Sequence, residues 1–401
     1  MVLRALTSRP DPALLTLPWS SALAEWPEPP VVRLPRGLSR HVVRIVQVQR
    51  RTFVVKETEE RIARREYHLL RDLQRRGLPT VVPKAVLTGR VDLDGDPLPA
   101  ALVTEHLHFS LPYRTLFQQG LELDRLPQLV DAIVVLLVRL HLAGFYWGDV
   151  SLSNVLFRRD AGGFAAYLVD AETGELNPTV ADAMREHDLT IARENVFAEL
   201  LDLQGAAELD PSVQGDEIID LLDERYHALW ADLTAVEEFG VSEMWRIEQR
   251  IERLNELGFD VDELEIVSDE GGDQVRIQPK VVEAGHHRRE LRELTGLDVE
   301  DAQARRLLND IAGFTAHHDL GHLSPTVVAN RWLVDVYEPL TSMVPADARD
   351  KLEPAEMFHE VLEHRWYLSE RAGHEIDIFE SAADYIRNIL PGRPDESPRV
   401  H

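Results

Sequence analysis

Two short apolar runs, Val155–Phe157 and Phe164–Val169, flank the polar, Gly-rich patch Arg158–Gly163. Runs of this length around a turn containing Asp-Ala-Gly-Gly predict a β-hairpin. Asn154 opens the first run and Asp170 follows the second. In an antiparallel hairpin, residues so placed lie side by side. Asp149 stands on the loop just before them. Upstream, the apolar run Phe53-Val54-Val55 ends at Lys56, and the mixed-charge stretch Glu59–Arg76 reads as a helix carrying Glu66. Ala101–Leu107 reads as a strand running into a linker. Across Leu126–Phe145 the positions Leu129, Val130, Ile133, Val134, Leu136, Leu137 and Leu140 cover most of a helix surface. That pattern predicts a largely buried helix, stopped by Gly144.

The pattern changes further on. Gln204–Gly215 is polar and contains Gly and Pro, marking a boundary. Glu217–Trp230 and Val241–Leu257 follow with helical spacing, the second ending at Gly258. Leu264–Val267 and Gln274–Val282 read as two strands around the acidic turn Ser268–Asp273. Gly285–Leu294 and a segment from Asp298 and Glu300 through Phe314 read as helices. No internal repeat is present.

An amide and two carboxylates meeting at one end of a hairpin suit Mg²⁺, which takes hard oxygen ligands and shares them with phosphate. Asp149-Val-Ser-Leu-Ser-Asn154, then a hairpin, then Asp170 resembles the catalytic core of protein-kinase-like phosphotransferases. The resemblance spans roughly residues 30–205 and is similar to the compact, atypical branch: lipopolysaccharide-core kinases, RIO-like kinases and aminoglycoside-type phosphotransferases. Arg65-Glu66, Leu69-Leu70, Leu73, Gly77 and Val82-Pro83 match their helix. Over its whole length the chain resembles a bacterial family that joins a lipopolysaccharide-kinase-like front half to a C-terminal domain of unknown function. Tyr146–Asn154, Tyr167–Leu176 and His187–Leu203 carry that likeness.

The resemblance implies roles. Lys56, fixed by Glu66, would hold the phosphates of ATP, and Asn154 and Asp170 would hold Mg²⁺. Asp149 would orient and deprotonate an acceptor hydroxyl. Glu105–Leu107 would form the hinge against adenine, with Thr104 at the back of the pocket. Arg36–His41 is the candidate nucleotide loop, with Gly37, Ser39 and Arg40 over the phosphates. Asp188, near the expected start of the next helix at His187, would anchor the catalytic loop or serve as a helix-end charge. Only four lysines occur, at 56, 84, 280 and 351; the last three read as solvated, whereas Lys56 stands where a compact ammonium suits a phosphate.

Three departures bear on activity. The loop before Lys56 has one glycine, Trp147-Gly148 replaces the usual His of the catalytic loop, and Glu172 stands where Gly usually follows the metal Asp. They give the alternative of a nucleotide-binding pseudokinase acting as a regulator or scaffold. The complete set of Lys56, Asp149, Asn154 and Asp170 opposes it.

Composition narrows the partners. A net charge of −27 argues against general binding to nucleic acid or anionic membranes. No cysteine is present, which excludes disulfides, thiolate catalysis and Cys-type zinc sites. The longest apolar stretch, Ala132–Val138, is too short to span a bilayer, and no signal peptide is evident. A cytoplasmic protein is expected, and the preference for Arg over Lys suggests a high-GC bacterial source.

The histidines around His317-His318-Asp319 and His322, together with His359 and His364, raise a third reading, a metallohydrolase. Neither zinc-protease spacing is met around His359, and capping and interhelical hydrogen bonds are the competing explanation for these histidines. The expected fold class is α+β: a bilobal protein-kinase-like fold followed by a mostly helical C-terminal domain with a small β-hairpin. The expected divisions are an extension at 1–29, an N-lobe at 30–108, a C-lobe core at 109–205, a helical connector at 206–240, an accessory domain at 241–390 and a tail at 391–401. The expected partners are ATP and an acceptor, small molecule or protein.

Overall fold

The computed structural model describes residues 3–32, 40–119, 121, 123–235, 237–240, 249, 254, 259–268 and 274–396. These fall into two compact units, one drawn from residues 1–158 and 166–223, the other from 159–165 and 224–397. Gly37 and Ser39 of the candidate nucleotide loop, most of the helix expected over 241–257 and the acidic turn at 269–273 lie outside the described residues.

The first unit opens with β1 (Arg4–Leu6), β2 (Val43–Val48), β3 (Arg51–Thr58), α1 (Glu60–Arg75), β4 (Pro83–Thr88) and β5 (Ala100–Glu105). The strands form one antiparallel sheet in the order β1-β4-β5-β3-β2. Alternation along β3 sends Phe53 and Val55 to one face and Val54 and Lys56 to the other. The first face is covered by Leu14, Leu17, Trp19, Leu23 and Trp26. Residues 1–29 were expected as a separate extension. Their strand β1 instead completes the sheet edge, and their apolar side chains close its core. Most of those side chains come from 3-10 turns and extended links, so they follow neither the helical nor the strand period. α1 packs on β4 and β5 through Ala63, Tyr67, Leu70 and Leu73.

Next come β6 (Leu111–Pro112), α2 (Tyr113–Gln118), α3 (Leu126–Leu142), β7 (Phe145–Tyr146), β8 (Val155–Asp160), β9 (Gly163–Leu168), β10 (Glu175–Leu176), α4 (Asp182–Gly205) and α5 (Gly215–Thr234), the last belonging to the second unit from Glu224 on. α3 is the buried helix its spacing predicts, with eleven of its residues in the core. Gly144, at φ +85°, ends it where a Cβ would lie 2.1 Å from the Asn177 carbonyl oxygen. The hairpin turn is tighter than expected: only Ala161 and Gly162 make it, both with positive φ. Arg158, Arg159 and Asp160 belong to β8, although their charge reads as turn. α4 starts at Asp182 rather than at His187, so Asp188 lies inside the helix.

The second unit holds β11 (Glu237–Gly240), β12 (Phe259–Ser268), β13 (Gln274–Ala284), α6 (His286–Thr295), α7 (Asp301–His317), α8 (Pro325–Trp332), α9 (Glu338–Ser342), α10 (Pro354–Ala372) and α11 (Ile378–Asn388). β12 and β13 form the expected antiparallel pair, and β11 adds a third strand on β13. The helices share a core in which the rings of Trp332, Tyr337 and Phe358 pack on one another. Among the described residues, no helix is long and apolar enough to cross a membrane.

Candidate active site

Lys56 reaches from β3 into a cluster of carboxylates. Its Nζ lies 3.1 Å from Glu66 of α1, 2.8 Å from Asp170 just past β9, and 3.1 Å from Glu172. Burial disfavours the Lys56 charge, but the surrounding carboxylates outweigh it and hold the ammonium above its ordinary range. One ammonium cannot neutralise three carboxylates. Burial and the nearby Asp170 accordingly push Glu66 up to about 8, against the pull of Lys56. Among the described residues, Glu66, Asp170 and Glu172 are the one group of three metal-ligating side chains whose atoms lie close enough together to grip an ion. Glu172 also meets His41 Nε2 at 2.9 Å.

The hairpin brings Asn154 beside Asp170, as its pattern predicts: Val169 N–H donates to the Asn154 carbonyl at 3.1 Å. Asn154 Nδ2 donates to the Asp149 carbonyl at 2.9 Å and to its carboxylate at 3.2 Å. That directs the amide nitrogen toward Asp149 and leaves the amide oxygen to serve as a ligand. Asp149 also receives Arg40 at 2.9 Å. Oxygen donors with surplus negative charge fit Mg²⁺, whose preference is hard oxygen ligands.

A cavity joins these groups to the strand expected as a hinge. Its wall includes Val54, Lys56, Thr104, Glu105, Leu107, Asn154 and Asp170. The Glu105 carboxylate is engaged by Lys84 at 2.5 Å, so Lys84 is paired rather than solvated. Lys351 likewise donates to the Pro391 and Arg393 carbonyls. His106, on the same wall, is pushed down to about 4 by burial and by His108, so its ring is neutral at physiological pH.

Helix α4 holds the loop at residues 147–154 from one face. Asp188, wholly buried, accepts Trp147 N–H at 2.8 Å, Gly148 N–H at 2.7 Å and the His141 ring at 3.0 Å. Glu199 accepts the N–H groups of Leu152 at 2.8 Å and Ser153 at 2.9 Å. Asn195 donates to the Val150 carbonyl at 3.0 Å. Asp188 is expected from the sequence, whereas Asn195, Glu199 and His141 are not. A signal was present: Asp188, Asn195 and Glu199 share one face of a 3.6-residue helix, on the stripe of Ala192, Val196 and Leu203. Asp188→Ala would leave three donors facing a vacated carboxylate. Unpaired buried polar groups cost about 1–3 kcal/mol each. A clear fall in the urea midpoint and in any turnover is the expected outcome; an unchanged midpoint would contradict the anchoring role.

The histidines of the second unit are dispersed. α7 ends at His317, so His318 and His322 do not share a helix face. His318 packs on Phe314, His322 is 3.1 Å from the Asp319 carbonyl, and His364 meets Asp384 at 2.8 Å.

Fold and site together define a kinase-like region followed by a mostly helical unit. Residues 41–199 match the lipopolysaccharide kinase (Kdo/WaaP) family, and residues 228–390 match the domain of unknown function DUF4032. The chain thus joins the two parts that its sequence resemblance implied. A solved structure described as WaaP in complex with acyl carrier protein is similar at 18% identity, over 63% of this chain and 99% of that one, with a TM-score of 0.37. No curated protein matches the chain.

Proposed function

We propose that this protein is an ATP- and Mg²⁺-dependent phosphotransferase that phosphorylates a hydroxyl group on an acceptor. The observation that carries the reading is the meeting of Lys56 with Glu66 and Asp170, beside the Asp149–Asn154 loop. Phosphoryl transfer needs little covalent chemistry from the protein; positioning and charge neutralisation supply most of the catalysis.

Lys56 would hold nucleotide phosphate, and Glu66, 3.1 Å from its Nζ, keeps the ammonium in place. Asn154 and Asp170 would hold Mg²⁺, which when bound neutralises charge on the phosphates. Asp149 accepts the proton of the attacking hydroxyl, and Asn154 fixes the rotamer of that carboxylate. Arg40, 76% exposed at its side chain, is the one partner of Asp149 that can swing away to admit an acceptor. Glu105 and Leu107 line the base end of the cavity. Gly37 and Ser39 complete the proposed phosphate loop with Arg40. The presence of every charged group the reaction needs supports turnover over an inactive regulator.

Titration of a fluorescent ATP analogue with and without Mg²⁺ tests the reading. Wild type should bind in a Mg²⁺-dependent manner, and Asp170→Ala should lose about ten-fold or more of that affinity, as expected for a direct ligand. Absence of nucleotide binding by wild type would overturn the proposal.

A further inference from the structure

The hairpin that carries Asn154 and Asp170 at its base has its tip, residues 159–165, built into the second unit. Three consecutive tip residues are held there. Arg159 pairs with Glu396 at 2.5 Å. The Asp160 carboxylate accepts Gln303 N–H at 2.7 Å and Ala302 N–H at 3.3 Å. Ala161 N–H donates to Glu356 at 2.9 Å. Buried Gln303 closes the arrangement, its side-chain amide donating to the Arg159 carbonyl at 3.0 Å and to Glu356 at 2.9 Å. Ala302 and Gln303 lie in the first turn of α7, whose N–H groups have no partner within the helix. The helix has a local capping box between Glu300 and Gln303, and Asp160 adds to it, from the hairpin, a carboxylate that accepts two first-turn N–H groups.

A two-stranded ribbon is marginally stable on its own. Near its base this one has a short support, β6, which pairs with Leu156 and Phe157. Asp160 lies six positions beyond Asn154, roughly 20 Å of strand at ~3.3 Å per residue. Strand register is all-or-none, and a slip of one residue turns every side chain to the opposite face. Fixing the tip thus fixes which way the ends of both strands point.

We infer that Asp160 and Gln303 are positioning residues for the metal-binding end of the hairpin. The DUF4032-matching region sets the geometry of Asn154 and Asp170 by holding the far end of the ribbon that carries them. This rests on the phosphotransferase reading for the role of those two residues. It gives the second unit a function at the reaction centre without any ligand of its own.

The test uses the full chain with Asp160→Ala, Asp160→Asn and Gln303→Ala. Mg²⁺ is titrated against binding of a fluorescent ATP analogue, and amide hydrogen exchange is followed over residues 155–168. Asp160→Ala should raise the half-saturating Mg²⁺ concentration roughly five-fold, below the ~10–100-fold typical of a direct outer-shell partner. Metal-free nucleotide affinity should stay unchanged, and exchange in the hairpin should quicken. Asp160→Asn keeps an acceptor oxygen and should restore most of the Mg²⁺ affinity. Gln303→Ala, which retains the Asp160 carboxylate, should show a smaller effect of the same sign and serves if Asp160→Ala does not fold. Faster exchange with an unaltered Mg²⁺ dependence would overturn the inference and leave the clamp purely structural. Wild type that binds nucleotide without any Mg²⁺ dependence would also overturn it, and wild type that binds no nucleotide would remove the phosphotransferase reading as well.

Discussion

Lys56→Met abolishes Mg²⁺-dependent nucleotide binding and lowers stability, and adding Glu66→Gln recovers part of the stability but none of the binding. That is the expected result, and charge explains it. Lys56 is 11% exposed at its side chain and is the shared partner of Glu66, Asp170 and Glu172. Removing one member of a buried ion pair typically costs about 3–5 kcal/mol, because the partner charge is left without compensation. Here the cost is softened: burial and Asp170 already push Glu66 up against the pull of Lys56, so without the ammonium its carboxyl is held neutral by a proton. A destabilisation near the lower end of that range is therefore expected. Glu66→Gln removes the need for that proton, which is why the double variant regains stability. Urea denaturation of the four members of this cycle measures the coupling. A Lys56→Met protein as stable as wild type, with nucleotide affinity intact, would show that the cluster is not organised around its ammonium.

For Asp149→Ala the expectation is the reverse split. Asp149 bonds to Asn154 and to exposed Arg40, and the main contacts that hold its loop belong to Asp188, Asn195 and Glu199. The loop should survive its loss, and nucleotide affinity should stay within about two-fold, since general-base catalysis acts on the transition state rather than on binding. Turnover should fall by about 10²–10⁴-fold, the range general acid–base groups supply. Single-turnover phosphate release beside nucleotide titration separates the two effects. Equal losses of binding and turnover would make Asp149 a structural residue.

The residues of the candidate site are legible where local spacing determines them. Asp149, Asn154 and Asp170 are ordered by one loop and one hairpin, and antiparallel pairing makes the residues at a ribbon's two ends neighbours in space. Lys56 and Glu66 could be paired only through the family resemblance, since their meeting depends on how a helix lies on a sheet. Glu172 was noticed as a departure, but its bonds to His41 and Lys56 were not, because three elements must converge to make them. The strand ends were misjudged where charge and structure disagree: Arg158, Arg159 and Asp160 look like turn residues, yet the last two find their partners elsewhere in the chain and stay extended. The cover of the first sheet by Leu14 to Trp26 was illegible for another reason: irregular backbone carries no period to read.

That cover has a consequence for what counts as a module here. The lipopolysaccharide-kinase match begins at residue 41, beyond every one of those side chains, and ends at residue 199, inside α4. Likeness of sequence and completeness of burial therefore draw different borders around the same object. Leu14, Leu17, Trp19, Leu23 and Trp26 are outside the matched residues and inside the border that water marks. The matched block is smaller than the block able to keep its interior dry, and residues 41–199 taken alone would carry an open sheet face with them.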